Sequence, residues 1–271
     1  MTHSNSNTNS AIDEPLVIRE NDSNGVVTLT LNRPKQFNAL SVDMLSALQT
    51  ELNDIAQDNN MRVVVIAANG KAFCAGHNLK EMRAHTEEAF HQSLFEQCSQ
   101  MMLTINQMPQ VVIAKVQGIA TAAGCQLVAT CDLAVASENA KFATSGINVG
   151  LFCSTPAVAV SRNLLRKQAF EMLITGEFID ADTALRQGLI NRVAASEQLD
   201  DTLQALIEAI ISKSSVATTT GKDMFYKQLE MDLAEAYEYA GKVMTCNMMT
   251  DDVSEGIDAF IEKRHAVWTG R

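Results

Sequence analysis

Residues Gly118 to Leu133 read GIATAAGCQLVATCDL. From Ala120 to Gly124 the chain carries almost no side chain. It then enters an apolar, helix-like run whose first polar group is the amide of Gln126. Small residues let a backbone come close to something, either another backbone or a ligand. Upstream, Lys71 to Met82 reads KAFCAGHNLKEM and has the same character.

Both stretches follow predicted strands. Arg62–Asn69 (RVVVIAAN) and Val111–Gly118 (VVIAKVQG) are continuous apolar runs of strand length, as expected when both faces of a sheet are covered. Parallel neighbouring strands bring both turns to one edge of the sheet. Backbone N–H groups at helix starts lack partners and point outward, so two can converge on one carbonyl oxygen. Such donors stabilise an enolate or tetrahedral oxyanion by roughly 3 kcal/mol each. The alternative use of small residues is tight helix-to-sheet packing. For one turn alone both readings stand; the pair favours a site.

Around this pair, Val26–Asn32 reads as a strand and RPKQFNALS as a turn-rich link. Ser41 is placed to cap a helix from Val42 to about Asn59, with Leu45, Leu48, Leu52 and Ile55 at helical spacing. Asn69-Gly70 turns the chain, and a long helix fits Glu87–Gln107 before Pro109. The opening stretch is read as helix, with short strands at DLAVAS and KFAT. Strand and helix alternate over the first two thirds, which predicts an α/β layer architecture with right-handed crossovers. After about Pro156 the pattern is helical throughout: Thr155–Leu165, Gln168–Thr175, Ala181–Gln187, Glu197–Lys213, Val216–Gln228, Leu233–Met249 and Ser254–His265. The expected division is a polar, disordered tail (1–14), an α/β core (15–195) and a helical C-terminal region (196–271).

Of 271 residues, 46% are hydrophobic and only 4 are proline, enough for a sizeable core. A net charge of -11 argues against nucleic acid as partner, although Arg33, Lys35, Lys71, Lys80, Lys263 and Arg264 can still gather around a small anion. The six cysteines form no CxxC, and most sit in apolar runs. They read as buried small hydrophobes in a reduced, cytoplasmic protein. The five histidines lack ligand spacing, so no metal site is expected. The N-terminus lacks arginine and an apolar stretch, so neither signal nor transit peptide is read there, and no run reaches membrane-spanning length. There is no G-x-G-x-x-G, P-loop or G-x-S-x-G, which argues against nucleotide folds and serine hydrolases. The triplet Thr220–Lys222 (TGK) lacks the upstream glycine and reads as a polar helix turn.

The two glycine-bearing turns resemble the paired oxyanion-hole motifs of the crotonase (enoyl-CoA hydratase/isomerase) superfamily. LNRPKQFNALS is similar to its N-terminal signature and AFIEKRHAVW to its C-terminal helix, so four motifs in order span about residues 16 to 268. ATAAGCQLVATCD and GINVGLFCSTP most resemble the group called enoyl-CoA hydratase domain-containing protein three. The resemblance implies a coiled core of repeated β-β-α turns, a helical C-terminal trimerisation region, and a homotrimer or dimer of trimers. An acyl-CoA thioester is the implied substrate, with no separate cofactor. By position, the backbone N–H groups of His77 and Ala123 would be the oxyanion donors. His77, Asn78, Leu79 and Lys80 would flank the CoA, and Phe260 and Lys263 would close the site, from the same or a neighbouring subunit.

The chain departs from the family at the chemistry. Its hydratases add water with two glutamates, as general acid and base. Here the first position is Gln126, and in AKFATSGINVG the second is Gly146, preceded by Ser145 in place of proline. A neutral amide is no base near pH 7. Other branches carry an acid on the following loop, near Ser154; the neighbouring Cys153 has no basic residue close in sequence to activate it. The His77 side chain is a further candidate acid or base, and Asp132 reads as a structural cap. The expected function is an acyl-CoA thioester enzyme with weak classical hydration. Its alternative is a non-catalytic acyl-CoA binding protein.

Overall fold

The computed structural model describes residues 14–271, so the expected disordered tail, apart from Glu14, lies outside the described residues. The chain opens with β1 (Val17–Asn21) and β2 (Val26–Leu31), then α1 (Val42–Ala56). Ser41 caps α1 as expected, its Oγ accepting from Met44 N at 3.1 Å. A repeat follows three times, each with a long strand, a short strand and one helix, or two in the first. The first comprises β3 (Val63–Ala68), β4 (Ala72–Cys74), α2 (Leu79–Ala84) and α3 (Glu88–Gln107). The second comprises β5 (Val111–Val116), β6 (Ile119–Thr121) and α4 (Ala123–Thr130). The third comprises β7 (Leu133–Ser137), β8 (Lys141–Ala143) and α5 (Ser154–Asn163). The remainder is α6 (Arg166–Thr175), β9 (Ile179–Asp180), α7 (Ala181–Gln187), β10 (Arg192–Ala194), α8 (Leu199–Ile211), α9 (Ser215–Gln228), α10 (Leu233–Met248) and α11 (Asp251–Glu262).

The long strands form a six-stranded sheet in the order β1-β2-β3-β5-β7-β10, parallel except for β1. The short strands form a second sheet, β4-β6-β8-β9, with β9 antiparallel. Each repeat thus lays one strand in each sheet, giving the β-β-α coil of the crotonase fold.

The continuous apolar strands are explained by two cores. Val64 and Ile66 of β3, Val112 and Ala114 of β5, and Ala134 and Ala136 of β7 face the main core with α1, α3 and α4. The alternate residues Val63, Val65, Ile113 and Val135 face Leu199, Leu203, Leu206 and Ile207 of α8. A strand sampled by two cores has no polar face.

Four readings change. Ile119–Thr121, expected as helix, is strand, and α4 begins only at Ala123. The region after Pro156 is not helical throughout, because β9 and β10 close the two sheets; strands of two and three residues leave no periodicity to detect. Lys222, in the triplet taken for a polar turn, is buried. Its Nζ donates to Asp132 Oδ2 (2.7 Å) and to the carbonyls of Ile105 (2.9 Å) and Gln110 (2.7 Å). Asp132 also accepts from Val112 N at 2.6 Å and from the Tyr226 hydroxyl at 2.8 Å, so it ties α9 to the sheet rather than capping a helix. Burial pushes the Asp132 carboxyl up and the Lys222 ammonium down, and each opposes the shift of the other. Three acceptors around Nζ are the complement of a protonated ammonium.

Removing one partner strands a buried charge. Lys222→Met is expected to lower unfolding free energy by about 3–5 kcal/mol, against about 1–2 kcal/mol for Tyr226→Phe, measured by urea denaturation. Equal losses would contradict the charge-pair account.

Candidate functional site

The first turn is stitched to the N-terminal link. Leu40 N donates to Gly76 O (2.8 Å), Ala75 N to Phe37 O (3.0 Å) and Asn78 N to Leu40 O (3.3 Å). Asn38 is fully buried. Its amide donates to the carbonyls of Asn69 and Ala72, both at 2.9 Å, and its Oδ1 accepts from Arg33 N at 2.8 Å. The RPKQFNALS stretch is therefore a backbone clamp on the turn. Its one buried amide was legible only as a turn residue in the sequence.

The second turn lies directly on the first. A Cβ on Gly124 would overlap the Cys74 carbonyl, and one on Gly118 the Lys71 carbonyl. Gly76, at φ 86, has Ala122 Cβ where its own Cβ would come within 2.8 Å, and Ala123 N at 3.1 Å. Gly118 and Gly124 thus serve backbone packing. Ala122 and Ala123 face a cavity instead. Ala122 holds φ 51, ψ -122, a conformation glycine adopts far more easily. Neither His77 N nor Ala123 N donates to an acceptor among the described residues.

Both residues line a cavity of about 320 Å³. Leu79, Met82 and Phe95 form one side and Val149, Leu151 and Phe152 the other; Ser145, Ser154 and Thr155 add hydroxyls. Ser145 Oγ is 2.7 Å from Thr121 Oγ1, and Ser154 Oγ donates weakly to Phe152 O at 3.4 Å. Gly146 is closed in: a Cβ there would meet Leu151 O at 2.7 Å and Cys153 Sγ at 2.8 Å. Burial pushes the Cys153 thiol up, away from a reactive thiolate. Among the described residues no carboxylate lines the cavity.

The His77 ring is oriented. Its Nδ1 stands 3.4 Å from Leu40 O, and a carbonyl only accepts, so the proton sits on Nδ1. Phe95 packs edge-on with ring centroids 5.5 Å apart. Nε2 is buried and has no hydrogen-bond partner among the described residues. Burial lowers the imidazole below its usual 6.5, outweighing the Leu40 contact, and the ring is neutral at pH 7.

Of the residues singled out in the sequence, His77, Leu79, Ala123 and Ser154 meet at the cavity. Five do not line it. Asn78 caps α2, accepting from Lys80 N and Glu81 N, and Lys80 is exposed on that helix. Gln126 is 4% exposed inside α4, its Oε1 without a partner. Phe260, 85% exposed, and Lys263 belong to the end of α11, which this chain does not fold over the cavity. Met82, Phe95, Val149 and Leu151 went unpredicted, since apolar lining residues look like core in a sequence. Among the described residues no three His, Cys, Asp or Glu side chains gather into a metal-binding group.

A family model described as enoyl-CoA hydratase/isomerase matches residues 21–271. The chain belongs to this family. Human enoyl-CoA hydratase domain-containing protein 3, mitochondrial, is 44% identical over 94% of this chain and 84% of its own length. The rat protein of that name is 45% identical over 94% of this chain and 85% of its own. A crystal structure of an enoyl-CoA hydratase from Mycobacterium smegmatis is 56% identical, with a TM-score of 0.93 over 94% of this chain and 99% of that one. The cytoplasmic location expected from the cysteines is corrected by these comparisons, because the vertebrate relatives are named mitochondrial. Reduced, buried thiols do not distinguish the two compartments.

Three outcomes follow from the geometry. Glycine-to-alanine changes inside helices normally gain about 1 kcal/mol. Gly241→Ala in α10, with open space around it, is expected to show that gain, whereas Gly124→Ala is expected to lose stability by thermal denaturation. Ala122→Gly relieves about 1–3 kcal/mol of strain against about 0.5–1 kcal/mol of backbone entropy, for a net gain near 1 kcal/mol. Finally, the His77 ring is expected to titrate below 6.5 by NMR. The unfolded ring takes up its proton first, so this group lowers stability as pH falls below 6.5; a midpoint above 6.5 would contradict the burial account.

Proposed function

We propose that the cavity binds an acyl-CoA thioester and stabilises its enolate. The thioester oxygen would accept from the N–H groups of His77 and Ala123. The observation that carries this reading is that both groups lack acceptors and both residues line one cavity. Each donor lowers the barrier by roughly 3 kcal/mol where it meets developing charge away from water. Asn78, Leu79 and Lys80, at the start of α2, would flank the CoA outside and at the rim of the cavity, with Ser154 across it. Phe260 and Lys263 would come from a neighbouring copy in a homotrimer or dimer of trimers. Exposed Tyr237 (74%), Met244 (71%), Phe260 (85%) and Ile261 (71%) give α10 and α11 apolar surface for such contacts.

Classical hydration is expected to be weak. The family's glutamate positions fall at Gln126, which does not line the cavity, and at Gly146, whose side-chain space is filled. Each missing acid or base is worth about 10²–10⁴-fold in rate. A second reading, binding without turnover, is favoured because no carboxylate among the described residues lies on the cavity wall.

The test is titration of crotonyl-CoA onto the protein, followed by an assay of its hydration. Saturable binding with slow or no hydration is expected. Hydration at ordinary hydratase rates would sink the missing-carboxylate reading, and no binding would sink the thioester site. Replacing Gln126 and Gly146 together by glutamate is expected not to restore hydration, because the second carboxylate has no room until residues 151–153 move.

A further inference from the structure

Two backbone donors meet one oxygen only if the strands that carry them keep their register. β4 pairs in parallel with β6, with Ala72 beside Ile119 and Cys74 beside Ala120. β4 thus advances two residues where β6 advances one, so Phe73 is an extra residue on β4, as in a β-bulge. Three residues beyond Cys74 comes His77, and three beyond Ala120 comes Ala123. A slip of one residue would carry one N–H about 3.3 Å past the other, roughly the length of a hydrogen bond. A ladder between three-residue strands, disrupted at one of them, does little to fix its own register.

Gln117 supplies a grip from outside the ladder. It lies between β5 and β6, and its Nε2 donates to the carbonyls of Ala68 (2.9 Å), Gly70 (2.9 Å) and Ala72 (3.1 Å). Carbonyls only accept, so the amide nitrogen is the atom that faces them. The three carbonyls span the end of β3, the turn and the first residue of β4. The Asn38 amide also reaches the Ala72 carbonyl, at 2.9 Å, but from the N-terminal link. Gly118 and Gly124 allow the backbones to approach, without bonds directed along the strand. Gln117 differs from both, because the chain that carries it runs directly on into β6 and Ala123. It ties the start of β4 to the segment that bears the other donor. We propose that Gln117, which does not line the cavity, is a positioning residue for the oxyanion pair. Its amide sets the register of β4 on β6 and so brings the N–H groups of His77 and Ala123 to one point. This role rests on the thioester reading above.

The experiment compares crotonyl-CoA with its thioether, S-but-2-enyl-CoA, in which a methylene replaces the carbonyl. Only the first offers an oxygen to the two donors. Both affinities are measured by calorimetry for the wild type and for Gln117→Leu, which keeps similar bulk without a donor. Tyr226→Phe serves as the control, since its lost hydrogen bond to Asp132 lies outside the cavity. The wild type is expected to prefer the thioester by about 10-fold or more, the effect of two neutral hydrogen bonds. Gln117→Leu is expected to fall to near parity with its thioether affinity unchanged, while Tyr226→Phe keeps the preference. A preference retained in Gln117→Leu, or both affinities falling together, overturns the role of Gln117 and leaves the thioester site standing. A wild type that binds both ligands equally overturns the oxyanion pair, and one that binds neither overturns the thioester site itself. A second measurement needs no variant: hydrogen exchange of the Gln117 side-chain amide, followed by NMR. Protons protected relative to a free amide support the grip, and exchange at the free-amide rate overturns it.

Discussion

The contact on which the site depends is backbone against backbone. The start of α4 lies on β4 so closely that no Cβ fits at Gly124, and the chain entering β6 lies on Lys71 so closely that none fits at Gly118. That approach brings the His77 and Ala123 turns to one cavity. A side chain of any size between them would lift α4 away and separate the two N–H groups. The same closeness leaves Ala122 in a conformation costing about 1–3 kcal/mol. It is held there because Ala122 N donates to Ala143 O at 3.0 Å and its Cβ fills the space beside Gly76.

The layers behind this contact keep it rigid. The long parallel strands are packed from both faces, by α1, α3 and α4 on one side and α8 on the other. The Asp132–Lys222–Tyr226 cluster pins α9 to the β5 and β7 ends of the sheet. Desolvation offsets most of the attraction in such a buried pair.

The chemistry of the cavity follows from what lines it. Apolar residues line much of its wall, the space beside Gly146 is closed, and burial desolvates the His77 imidazole.

The sequence by itself determined the alternation of strands and helices, the two small-residue turns, and the residues Gln126 and Gly146 where carboxylates are expected. These are local: a residue's size or charge is present in the letter. Only the tertiary structure decided which small residues meet backbone and which face the cavity, since both uses demand the same side chains. It alone made Lys222 a buried anchor, because its partners lie 90 to 117 residues away. It also separated His77, Leu79, Ala123 and Ser154 from Gln126, Phe260 and Lys263. Convergence on one cavity is set by strand register and helix packing, which join segments that the linear chain keeps apart.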